Sequence, residues 1–101
     1  MTDYLLLMHD DAKKEATDAH DDEWTSYLKK LKDGGCFRGG SAIGDGECAR
    51  KSGIIPPISN HLSGFIRVEA ESLAQARSFL AGNPTYEAGG TVEIRELPRT
   101  D

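Results

Sequence analysis

Tyr4-Leu5-Leu6-Leu7-Met8 is an unbroken apolar run between charged residues, which suits a strand buried at the centre of a sheet. The acidic stretch that follows, residues 9–20, has almost no large apolar side chains and reads as a loop with a helical turn around Lys13–Ala16. Trp24, Tyr27, Leu28 and Leu31 then recur at i, i+3, i+4 and i+7, placing all four on one helix face. Asp21 or Asp22 supplies the N-cap oxygen, and Gly34 or Gly35 takes the left-handed conformation that stops the helix. Phe37–Ile43 reads as a second strand in which Gly39 and Gly40 mark a bulge or a close approach. Gly44-Asp45-Gly46 predicts a turn from which Glu47–Lys51 returns as a short, charged edge strand. Ser52–Asn60, with Pro56-Pro57, is a surface loop.

Leu62–Ala70 alternates, sending Leu62, Gly64, Ile66, Val68 and Ala70 one way and Ser63, Phe65, Arg67 and Glu69 the other. Ser72 and Gln75 form a capping box ahead of a stripe of Leu73, Ala76, Phe79 and Leu80, which Gly82 ends and Pro84 prevents from continuing. A last strand sets Val92 and Ile94 against Thr91, Glu93 and Arg95. The order predicts an α+β fold, a ferredoxin-like βαββαβ core with an extra short hairpin strand. Both helices must lie over Ile66, Val68, Val92 and Ile94. The other sheet face, with Phe65, Arg67, Glu69, Glu93, Arg95 and half of the first strand, is too mixed for open solvent and too charged for a dry core. A second copy of the chain is the expected cover, giving a homodimer with a partly polar cleft at the seam.

At 101 residues the chain makes one domain with a modest core. A net charge of −5 argues against nucleic acid as partner; Lys29, Lys30 and Lys32, the one basic knot, follow Asp21, Asp22 and Glu23 on the same helix and suit its dipole. No signal peptide or membrane span is expected, and Cys36 and Cys48 read as free thiols, which together predict a cytoplasmic protein that does not bind membranes.

Among residues with chemistry, His61 shares its parity with Phe65 and Arg67 at the mouth of the uncovered face. There its imidazole would serve as acid or base while Arg67 holds a small anionic ligand. The plain alternative is that His61 only begins a strand beside the proline-rich loop. His9, leaving the first strand, would line the same cleft, and Ser41 would offer a hydroxyl where the glycine bulge opens. His9-Asp10-Asp11 and His20-Asp21-Asp22 lack the spacing of a metal site, no Gly-Lys-Ser/Thr follows the glycine pairs, and Ser41 has no Gly-x-Ser-x-Gly context. Neither metal nor cofactor is expected.

Gly82-Asn83-Pro84-Thr85-Tyr86-Glu87-Ala88-Gly89-Gly90 running into Thr91–Leu97, together with Cys36–Gly44 and the strand from His61 to Val68, resembles the YCII-related family, including its DGPF-type members. The resemblance spans nearly the whole chain. It implies a dimeric α+β barrel. In better-known members a histidine of the first helix and an aspartate just before the motif proline form a proposed catalytic pair. Here Trp24 occupies the first neighbourhood and Asn83 the second, and asparagine cannot ionise. Asn83 is left as an uncharged ligand contact. Some relatives are associated with elimination chemistry on chlorinated aromatic breakdown products, which implies lyase or isomerase activity. The departure at Asn83, and the company such genes keep with alternative sigma factors, implies instead a non-catalytic binding or regulatory module.

Overall fold

The computed structural model describes residues 1–12 and 21–99, with Asp21 described by its backbone alone. The turn expected around Lys13–Ala16, and His20, lie outside the described residues. In chain order the elements are β1 (Thr2–His9), α1 (Asp21–Asp33), β2 (Phe37–Ala42), β3 (Leu62–Ala70), α2 (Leu73–Ser78), α3 (Pro84–Glu87) and β4 (Val92–Leu97). The strands form one antiparallel sheet in the order β2-β3-β1-β4, the arrangement of the ferredoxin-like plan.

The apolar run of β1 occupies the sheet's interior, hydrogen-bonded on both sides: Leu6 stands opposite Ile66 on β3 and Ile94 on β4. Tyr4, Leu6 and Met8 join Ile66, Val68 and Ala70 in the core beneath the helices. From α1, Tyr27 and Leu31 are buried and Trp24 and Leu28 pack at the margin, as the helical spacing requires. The Tyr27 hydroxyl donates to the Phe79 carbonyl at 2.7 Å, tying α1 to the end of α2. Burial pushes the Tyr27 phenol above its ordinary value, with the Asn83 side chain acting in the opposite direction.

Helix ends follow local chemistry. The described part of α1 begins at Asp21, so Asp22 is a helical residue rather than one ahead of the helix. Gly35 takes φ 77°; its amide bonds Lys32 O at 3.0 Å and the Cys36 amide bonds Leu31 O at 3.3 Å, closing the helix with a Schellman pair. Ser72 Oγ accepts from the Gln75 amide at 3.1 Å, and the Gln75 side chain accepts from the Glu71 amide at 2.6 Å.

Three expectations need correction. Leu73 is exposed, because α2 lasts only six residues and buries Ala76, with Phe79 and Leu80 just past its end. Asn83-Pro84 does not merely turn the chain: Asn83 caps a second short helix, α3, with Pro84 in its first turn, where a missing amide costs nothing. The extra hairpin strand is absent: Glu47–Lys51 forms no strand, and residues 43–60 make an irregular arm between β2 and β3. The outer edge of β2 is left unpaired by this segment. The bulge does form, with Gly39 at φ 109° and the register shifting between Phe37 and Gly40.

Candidate functional site

Where the helix layer meets the β2–β3 end of the sheet, small residues leave space. Gly40, Ala42 and Gly64 stand on the helix side of the sheet, and no side chain of theirs fills the gap below Trp24 and Leu28 of α1. The result is a cavity of about 900 Å³ with Met8, Phe37, Phe65 and Ile66 among its apolar walls, Pro84 and Thr85 also in its lining, and His9, Asp10 and Asp22 supplying polar groups. Trp24 and Leu28 of α1 line it from one side and Gly40 and Gly64 of the sheet from the other.

His9 is held at the end of β1. Its Nε2 lies 3.1 Å from Glu93 Oε1 on β4, and its ring meets that of His61 edge to face with centroids 4.9 Å apart. The hydrogen bond from His9, and then that from Arg95, lowers the Glu93 carboxyl below its ordinary value. One imidazole nitrogen is therefore engaged by a carboxylate, leaving the other for exchange with a ligand.

The loop after β1 is pinned next to this pair. Asp11 accepts from the Thr91 amide at 2.8 Å and from its hydroxyl at 2.7 Å, bonds that hold the Asp11 carboxyl below its ordinary value. A lowered folded value means the ionised form stabilises the fold above pH 3.8 and that this contribution disappears as pH falls through the lower, folded value. Thermal melts should show Asp11→Asn below wild type at pH 7 and the gap closing in acid; a gap independent of pH would contradict the linkage.

The structure brings His9 and His61 together but not His61 and Arg67. Six residues of extended chain separate those two, roughly 20 Å. Arg67 instead clamps Asp3 through Nε at 2.9 Å and Nη2 at 2.6 Å, at the opposite end of the sheet. Ser41 lines the cavity, and its hydroxyl donates to the Ala42 carbonyl at 2.9 Å. Asn83 is fully buried, its Oδ1 accepting from the Tyr86 amide at 3.0 Å while Nδ2 has no partner. Its place is behind Pro84, outside the cavity lining. Among the described residues no three His, Cys, Asp or Glu side chains gather as a metal site, and no helix is long and apolar enough to cross a membrane. Cys36 and Cys48 are free thiols.

Glu93 was not legible as a site residue. Parity puts Glu93 on the uncovered face, yet only the β1–β4 register, Leu7 opposite Glu93, carries it to within reach of His9.

Residues 2–100 match the family described as the YCII-related domain. The chain belongs to the YCII-related family. Among solved structures, this YCII-related chain is similar to 5-chloro-2-hydroxyhydroquinone dehydrochlorinase from Burkholderia phenoliruptrix, in complex with 2,5-dihydroxybenzoquinone. The two share 17% identity at a TM-score of 0.57, covering 97% of this chain and 95% of that one. At that identity the likeness concerns the fold. Comparison with curated proteins finds no match.

Proposed function

We propose that this YCII-related protein works as a homodimer, a dimeric α+β barrel, that binds a small weak acid beside His9 and carries out acid–base chemistry of the lyase or isomerase type. One observation carries the reading: an imidazole fixed by a carboxylate, His9 on Glu93 at 3.1 Å, at the wall of an aromatic-lined cavity. The charges around the cavity shape the ligand class. Asp10 and Asp22 disfavour a permanently multivalent anion, so a planar molecule with an ionisable hydroxyl suits the site better, its anion balanced by the His9 imidazolium. The structurally similar dehydrochlorinase holds a molecule of that kind, 2,5-dihydroxybenzoquinone.

In such an elimination, His9 takes a proton from the ligand and the freed electron pair forms the new double bond. The leaving group departs with its own pair, and the imidazolium then returns its proton to solvent. Glu93 keeps the ring oriented. His61, edge-on to His9, limits the ring's freedom.

The test is a thermal-shift and turnover screen of planar hydroxylated and halogenated compounds against wild type, His9→Ala and His61→Ala. Wild type should be stabilised in proportion to occupancy, and His9→Ala should lose about 100-fold or more in turnover while still folding. A His9→Ala variant with full turnover would end the acid–base reading. The rival, a non-catalytic binding or regulatory module linked to alternative sigma factor systems, is favoured by Asn83, whose amide is buried as a helix cap where the family pattern has a carboxylate. Ligand stabilisation without turnover, unchanged in His9→Ala, is the outcome it predicts.

A further inference from the structure

The arm of residues 43–60 is the feature that the cavity does not explain. It holds no strand or helix, yet it has a defined shape: Arg50 Nη1 donates to Ile54 O at 3.0 Å, and the Ile58 side chain closes on Gly46. Pro56-Pro57 stiffens its return. Even so, it leaves Ile54 87%, Ile55 55% and Ile58 43% exposed, three large apolar side chains within five residues. The described chain is correspondingly spread out, with a radius of gyration of 15.1 Å against about 13 Å for a compact chain of about 100 residues. The arm leaves β2 after Ala42 and re-enters at Leu62, beside the cavity-lining Ser41, Ala42 and Ser63.

The uncovered sheet face states what the arm is for. Its apolar positions, Leu5, Leu7, Phe65 and Leu97, are flanked by the cross-strand ion pairs Asp3–Arg67 and Arg38–Glu69 and by the Glu93–Arg95 pair along β4. Four strands with a longest run of nine residues make a face of roughly 19 by 30 Å, about 570 Å² in projection. A stable interface needs about 800 Å² per partner. Face-to-face stacking of two such sheets falls short, and the arm's isoleucines are the apolar surface available to make up the difference.

We infer that the arm is a dimer clasp: in the homodimer proposed above, on which this inference rests, Ile54, Ile55 and Ile58 of each copy are buried against the second copy and extend the sheet-to-sheet contact. The clasp is rooted at the cavity end of the sheet, so pairing would also steady the β2–β3 edge that floors the cavity.

Light scattering coupled to gel filtration, over a concentration series, tests this on wild type and on the double variant Ile54→Asp/Ile55→Asp. Both side chains are exposed in the single chain, so the fold should survive, as far-UV circular dichroism would confirm. Wild type should be a dimer at micromolar concentration, and the double variant should dissociate with a Kd at least ~100-fold weaker, because each carboxylate would have to be buried unpaired. A second measurement, limited proteolysis, should find the arm protected in wild-type dimer and cut in the variant. If wild type is a dimer and the variant is one of equal affinity with the arm freely cut, the clasp is wrong and the dimer stands. A monomeric wild type would overturn both.

Discussion

Gly40→Val should destabilise the protein by about 3 kcal/mol or more, at the upper end of what overpacking costs, and should abolish the ligand binding proposed above. The reason is local and geometric. A Cβ on Gly40 would lie 2.5 Å from the Phe65 carbonyl oxygen and 3.1 Å from the Ile66 Cα, both backbone atoms of β3. A flexible side chain could swing aside; a strand backbone can move only by breaking its pairing. β2 is the edge strand, so it would peel from β3, carrying Ser41 and Ala42 out of the cavity wall. Neighbouring Gly39 is constrained differently, by its φ of 109° with open space where a Cβ would stand, and Gly39→Ala should cost less, about 1 kcal/mol. Urea unfolding of the two variants compares these costs directly. A Gly40→Val protein within 1 kcal/mol of wild type would mean that β2 does not approach β3 in this register.

Leu6→Ala should cost about 2–5 kcal/mol. Leu6 is wholly buried at the middle of β1, with Ile66 and Ile94 as cross-strand partners on either side, so its removal leaves a cavity that neither neighbouring strand can close. For a chain of this length that is a large share of a total near 5–15 kcal/mol. Leu5→Ala, one position along and on the uncovered face, is the natural control: in a single chain it should cost much less, and in the dimer proposed here the difference should shrink. An equal, small cost at both positions in a proven monomer would show that the two faces of β1 are not distinguished as described.

Strand and helix periodicity were legible because burial repeats with the local geometry. The alternation in Leu62–Ala70 sorted residues onto the two faces that the sheet has, and the Trp24–Leu31 spacing placed α1 on the core. Capping at Ser72 and the left-handed glycine after α1 were visible for the same reason: each depends on residues close in the chain. The hairpin strand at Glu47–Lys51 failed because a strand needs a partner, and partner availability is not a property of the segment itself. Pairing His61 with Arg67 treated shared parity as proximity, although parity says which face and not how far along it.

The amino-acid sequence by itself determined the four sheet strands, the helices α1 and α2 and the two faces of the sheet, because short-range sterics, burial period and residue chemistry are all local. Only the tertiary structure decided that His9 meets Glu93 and His61, that Arg67 is taken by Asp3, and that the cavity opens beneath α1 over Gly40 and Gly64. Those outcomes depend on strand register and on how closely two layers approach. Both are set by packing between segments as much as 84 residues apart, which no local pattern encodes.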